Sequence, residues 1–300
     1  MTTKLILDTD IGGDIDDAIC LAYLLMQPEC DLLGITTVTG EPEKRAALAS
    51  VLCEAAGKDI PIYPGLDQPI LGEQRQRVAE QAVALPRWPH RSLFPRGEAV
   101  EFLRRTIRAH PGEITLLTIG PLTNIAQAFL LEPLLAQNLA HLTLMGGVVR
   151  NLDRLDLPYC EYNIRCDPEA AQIVFSAGAP LTVVPLDVTT LVRMLPAGVE
   201  RIKKAGTPYH QAVAGQVELY PPFKERGFTY THDPLAVATL IWPDLVKLRD
   251  LHVDVETGGS FTSGATLVRT PVVEAPANAQ FALEVDTLRF EEFLVARLAS

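Results

Sequence analysis

Five carboxylates fall within ten residues near the start of the chain: Asp8, Asp10, Asp14, Asp16 and Asp17, in the run Leu5-Ile-Leu-Asp-Thr-Asp-Ile-Gly-Gly-Asp-Ile-Asp-Asp-Ala18. Carboxylates that converge repel one another unless a cation offsets them. Oxygen donors alone select a hard ion, Ca²⁺ or Mg²⁺. The apolar run before Asp8 reads as a strand and the run after Asp17 as a helix. Asp8 and Asp10 then sit at the carboxyl end of a strand, where open α/β sheets bind ligands. Asp16 and Asp17 sit at a helix start, where the dipole favours anions. Gly12 and Gly13 permit the turn between the two groups. Any one of these aspartates could be an N-cap, but five together ask for more. An EF-hand is excluded, because the twelfth position counted from Asp8 is Ile19 rather than a bidentate glutamate.

Two other chemistries share this opening. A strand followed by Asp-x-Asp also begins the haloacid-dehalogenase-type phosphatases, with Asp8 as nucleophile and Asp10 as acid. The late acidic pair such enzymes require has no counterpart here. A non-catalytic binding protein could use the same ion to hold the diol of a ribose or nucleoside.

The elements that must hold these residues alternate strand and helix. Lys4–Leu7, Leu32–Val38, Ile114–Ile119, His141–Met145 and Leu181–Leu186 read as strands. Asp17–Met26, Glu43–Ala56, Leu122–Leu130 and Pro168–Ala177 read as helices, the last capped by Asp167 and stopped at Gly178. Repeated strand–helix units predict an α/β fold: an open, mostly parallel, Rossmann-like sheet with helices on both faces. Leu251–Arg269 reads as a hairpin around Gly258-Gly259, followed by a strand over Gln280–Val285 and a helix over Thr287–Leu298, a small antiparallel C-terminal extension. Gln74–Pro95 is polar and proline-rich and reads as a long loop or lid. Residues 1–300 read as one domain.

Composition narrows the function further. A net charge of −11 repels phosphate backbones, so no nucleic-acid partner is expected. The apolar run Ala18–Met26 is too short to span a bilayer, and no signal peptide is read at the N-terminus. The five cysteines show no CxxC spacing, which disfavours zinc and fits a reducing, cytoplasmic setting.

The cluster resembles the signature of the inosine–uridine-preferring nucleoside hydrolase family, Asp-x-Asp-x-Gly-x-Asp-Asp. Ile35-Thr-Thr-Val-Thr-Gly40, Ile119-Gly-Pro-Leu-Thr-Asn-Ile125, Leu144-Met-Gly-Gly147, Glu161-Tyr-Asn-Ile164, Asp167-Pro-Glu-Ala170 and Thr231-His-Asp-Pro-Leu-Ala236 are similar to that family's later stretches, in order. The resemblance implies calcium-dependent hydrolysis of the N-glycosidic bond of ribonucleosides, a role in purine or pyrimidine salvage, and a homodimer or homotetramer. It implies Ca²⁺ held by Asp10, Asp17, Asp233 and the carbonyl of Ile119. Asp10 would also be the general base toward water on the ion. Asp16, Glu161 and Asn163 would hydrogen-bond the ribose, with Asn151 beside them. His232 would face the leaving base, and Tyr220 would line the base pocket.

Each downstream residue also has a plain structural reading. Asp233, before Pro234, could be only an N-cap. His232 could be a packed histidine, and Asn124 could satisfy backbone in a turn. Glu161 and Asn163 alternate around Tyr162, so an extended segment would point both to one face. Two departures from the family pattern stand out. Gly13 and Asp14 are an insertion within the signature. Glu41 stands where the family carries an asparagine toward the sugar's 5′ side, and an ionised glutamate there cannot donate a hydrogen bond and repels a 5′-phosphate.

Overall fold

The computed structural model describes residues 2–150, 154–269 and 275–300. Its strands are β1 (Thr3–Thr9), β2 (Cys30–Thr37), β3 (Ile62–Pro64), β4 (Ile114–Thr118), β5 (His141–Met145), β6 (Leu181–Val184), β7 (Arg193–Met194), β8 (Thr229–Tyr230), β9 (Val246–Leu251), β10 (Val253–Val255), β11 (Thr266–Val268) and β12 (Ala279–Val285). Its helices are α1 (Asp16–Leu25), α2 (Pro42–Ala55), α3 (Ala99–Ala109), α4 (Thr123–Leu131), α5 (Tyr162–Cys166), α6 (Pro168–Ser176), α7 (Leu186–Thr189), α8 (Pro196–Lys204), α9 (Pro208–Leu219), α10 (Pro221–Arg226), α11 (His232–Ile241) and α12 (Thr287–Leu298).

Eight strands form one sheet in the order β3-β2-β1-β4-β5-β6-β12-β9. All pairs are parallel except β12 with β9, at the edge. The order reverses between β1 and β4. Side chains alternate across the sheet with period two, and the core divides accordingly. Leu5 and Leu7 of β1 pack into one cluster with α1, α2, α11 and α12. Ile6 packs into the other with α3, α4 and α6. The parallel sheet is thus covered on both faces, which is why its strands read as nearly continuous apolar runs.

The expected strands and helices are present with boundaries shifted by a residue or a few. The segment expected as one strand to Leu186 ends at Val184, and α7 begins after Pro185. The hairpin is β10 paired antiparallel with β11, and it forms a separate two-stranded sheet. The strand after it, β12, joins the main sheet, parallel to β6 and antiparallel to β9. No helix among the described residues is long and apolar enough to cross a membrane. All five cysteines are free.

Candidate active site

The order reversal fixes where the site lies. β1 and β4 run parallel, and the chain leaves them for helices on opposite faces, α1 and α4, which opens a crevice at the switch point of the sheet. Ile119 N–H donates to the Asp8 carbonyl at 2.9 Å, so the two strand ends remain tied as they leave the sheet. Asp10 follows β1 and Ile119 follows β4, and both line a cavity of about 770 Å³. Gly120 makes this approach feasible: a Cβ there would lie 2.8 Å from Asp10 Oδ1. Nothing in the spacing of the sequence marked that glycine.

Asp16 and Asp17 open α1, and Asp233 lies in the first turn of α11, which packs on α1. Carboxylate oxygens of Asp16, Asp17 and Asp233 lie within 4.8 Å of one another, all three side chains buried. Asp233 is not the N-cap of its helix; Thr231 is. Its backbone N–H points at Asp16 Oδ2, 3.4 Å away. Asp10 stands outside this trio but within hydrogen-bond reach of Asp17 and Gln76. Burial first, and then repulsion from neighbouring aspartates, Asp14 and Asp10 among them, raises the Asp16, Asp17 and Asp233 carboxyls well above their usual range. Burial also raises Asp10. A positive charge among them would reverse that penalty. The donors are all oxygen and all anionic, which fits a hard divalent cation. Asp16, expected at the sugar, therefore stands with the groups able to hold the ion.

One cation is built into the site. Arg45 of α2 is fully buried. Its guanidinium donates to the carbonyls of Asp10 and Ile11, of Gly40 at 2.8 Å and of Val78 at 3.2 Å. It pulls the Asp10 and Asp17 carboxyls down, against burial. One side chain thus fastens the end of β1, the turn after β2 and the segment over the cavity. The sequence hint was a lone arginine in an alanine-rich helix.

Asp8 does not line the cavity. Its Oδ2 accepts from Thr36 Oγ1 at 2.5 Å and Asn124 Nδ2 at 2.7 Å, and the side chain is fully buried. Burial pushes its carboxyl up to about 7. It cannot meet a phosphoryl group there, so the phosphatase reading loses its nucleophile. Asn124 also donates to Thr37 O and accepts from Leu66 N–H, so it satisfies backbone as well as the carboxylate.

Glu161 and Asn163 both line the cavity, though not from an extended segment. Glu161 is the N-cap of α5 and Asn163 lies in the first turn. The Glu161 carboxylate accepts from the N–H groups of Gly147, Asn163 and Ile164 at 2.8–3.1 Å. Burial nonetheless pushes it up to about 7. Asn163 Nδ2 donates to the carbonyl of Ile119 at 3.1 Å and of Met145 at 3.2 Å. His232 lines the cavity at the start of α11, with Nδ1 2.8 Å from Thr189 Oγ1. Burial pushes its imidazole down to about 4, so the ring is neutral at pH 7 in the free protein.

Other expected site residues lie elsewhere. Glu41 faces a neighbouring cavity, with Lys44 Nζ at 2.5 Å and the Ala79 N–H at 3.0 Å. Tyr220 is not among the residues lining the main cavity; its hydroxyl meets the Asp14 carboxylate, and burial raises it. Asn151 lies outside the described residues.

The segment expected as a lid is docked over the cavity. Gln81 N–H donates to Gly12 O, and Gln81 Nε2 donates to Gly13 O and Asp14 O. The inserted residues are therefore what the lid grips. Gly12 has φ +117°, and a Cβ there would lie 2.7 Å from Leu48 Cδ1. Gly12→Ala is expected to cost roughly 1–3 kcal/mol of stability from backbone strain alone. A denaturant midpoint unchanged from wild type would contradict this.

Comparison with known proteins turns on this constellation. The family profile described as inosine-uridine preferring nucleoside hydrolase matches residues 5–292. The chain belongs to this family. This nucleoside hydrolase is 33% identical to an uncharacterised protein of Schizosaccharomyces pombe, over 98% of both chains. It is 32% identical to the pyrimidine-specific ribonucleoside hydrolase RihB of Escherichia coli, over 95% of this chain and 93% of that one. Among solved structures, the purine-preferring ribonucleoside hydrolase from Gardnerella vaginalis superposes with a TM-score of 0.89, at 26% identity over 99% and 98% of the two chains. A family-wide match over nearly the whole chain makes it a glycosyl hydrolase.

Proposed function

We propose that this nucleoside hydrolase is calcium-dependent, cleaving ribonucleosides to free base and sugar with Asp10 as base. The observation that carries the proposal is the buried trio Asp16, Asp17 and Asp233, beside Asp10, Glu161 and Asn163 in one cavity. The residues that would hold the ion are Asp16, Asp17 and Asp233, with Asp10 and the Ile119 carbonyl next to them. A hard cation would there supply positive charge that orients vicinal hydroxyls and makes a water more acidic.

The chain's own groups do the rest. Asp10, raised by burial, accepts a proton from the attacking water. Breaking the C–N bond builds positive charge on the ribose ring. Glu161 and the aspartates offer negative charge against it. Asn163 and Glu161 present amide and carboxylate oxygens to the ribose hydroxyls. His232 offers the leaving base a ring N–H from a neutral imidazole, with Thr189 holding the other nitrogen.

Two tests follow. Chelation should abolish base release, and added Ca²⁺ should restore it; full activity in chelator would remove the calcium reading. His232→Ala should slow purine release by about 10²-fold, the lower range for a proton-transfer group. Unchanged inosine turnover in that variant would refute the role. Relatives named for opposite base preference leave the base itself to a comparison of purine and pyrimidine nucleosides.

A further inference from the structure

Two guanidinium groups on the wall of the site cavity have no acidic partner. Arg75 comes from the segment between β3 and α3, Arg165 from α5, and both line the cavity of the aspartate trio. Neither makes an ion pair or a side-chain hydrogen bond among the described residues. Many arginines elsewhere are paired, Arg104, Arg154, Arg201, Arg269 and Arg289 among them, each with an Asp or Glu. In a chain of net charge −11, carboxylates are in excess. Two unpaired guanidiniums on one wall of a ligand cavity therefore point to a ligand that brings its own anion. Arg77 lines the same cavity but is already committed, with Nε 3.3 Å from Gln74 O and Glu73 at 4.0 Å.

Their position can be narrowed. Arg75 lies near enough to Cys166 to lower its thiol, and Arg165 near enough to Cys160. Cys160 and Cys166 bracket α5, the helix that carries Glu161 as cap and Asn163 in its first turn. Arg165 thus belongs to the helix that carries the ribose contacts, and Arg75 lines the same cavity. His232, for the base, belongs to α11 instead.

Most carboxylates nearby are already engaged; Glu80, which is exposed, also lines the cavity. The Glu161 carboxylate is taken up by three backbone N–H groups. Asp14 accepts from Ile15 N–H at 2.6 Å and meets Tyr220. Glu41, the residue expected to repel a phosphate, faces another cavity and is bound to Lys44. A volume of about 770 Å³ lies in the upper part of the range for small-molecule sites.

We propose that the substrate is a ribonucleoside bearing an anionic oxygen group at the sugar end, a 5′-phosphate, gripped by Arg75 and Arg165. The fork geometry of arginine suits phosphate oxygens. The reaction is the same hydrolysis. The C1′–N bond breaks and the water oxygen bonds to C1′. One water proton stays on the new hydroxyl and the other ends on the base, leaving free base and ribose 5-phosphate. The proposal rests on the ribose reading of Glu161 and Asn163 given above.

The test compares kcat/KM for UMP and IMP with uridine and inosine, on the full chain in Ca²⁺, with orotidine added as a nucleoside whose carboxylate is on the base. The monophosphates are expected to be at least tenfold better. In Arg75→Gln/Arg165→Gln that ratio should fall at least tenfold, mainly through KM, and Arg165→Lys should recover part of it. Both side chains are exposed, so the variants should fold. Neutral nucleosides cleaved as well as the monophosphates, or an unchanged ratio in the double variant, would overturn the proposal. Orotidine preferred over UMP would overturn the assignment to the sugar end. Base release from no substrate at all would instead overturn the hydrolase reading beneath it.

Discussion

Asp10→Asn is expected to yield a folded protein whose kcat for nucleoside cleavage is lower by about 10³-fold, within the range for loss of a positioned proton acceptor. The carboxamide preserves shape and the contacts of the backbone at residue 10, which are what Arg45 holds. It cannot take a proton from water. The loss should persist at saturating Ca²⁺, because it concerns proton transfer as well as ion binding. A fall of less than tenfold would remove Asp10 from the base role. Asp8→Asn provides the contrast. Asp8 faces Thr36 and Asn124, outside the cavity. That variant should change stability more than the chemical step.

Asp233→Ala should abolish ion binding. It removes one of three buried carboxylates that converge from α1 and α11. In the wild-type protein, Ca²⁺ at a hundred times its dissociation constant should add about 2.7 kcal/mol of stability, read as a rise in melting temperature of several degrees. In Asp233→Ala the rise should vanish, and base release with it. The variant also loses a mutual repulsion, so without ion its melting temperature should equal or exceed that of the chelated wild type. An undiminished calcium-induced shift in Asp233→Ala would take Asp233 out of the ion site.

The sequence made much of this legible, for identifiable reasons. Parallel strands buried on both faces leave continuous apolar runs, and these located β1, β2, β4, β5 and β6 within a few residues. The acidic run named its own site because the chain ends one strand and begins one helix within a single turn. Distant partners such as Asp233, Glu161 and Asn163 were visible through resemblance, since α1 against α11 is a tertiary contact that spacing does not encode.

What stayed hidden depended on three-dimensional closure. Arg45 of α2 was not singled out from the sequence, and it is fully buried under four carbonyls. Glu41 was placed toward the sugar's 5′ side by resemblance to the family pattern. The left-handed backbone there, φ 61°, turns it toward the lid instead. Tyr220 was assigned to the base pocket, and its hydroxyl is given to the inserted Asp14. Gln81, which holds Gly13 and Asp14, carried no signal in the sequence, because its role exists only once the lid has folded over the insertion.

The central claim is that the carboxylate cavity cleaves the bond between base and ribose. The direct measurement is chromatographic detection of free base after incubation of the purified protein in Ca²⁺ with uridine, inosine, cytidine, adenosine and their 5′-monophosphates. The account predicts stoichiometric free base and sugar from at least one of them, lost in Asp10→Asn. No base released from any of them by folded, calcium-loaded protein would contradict it.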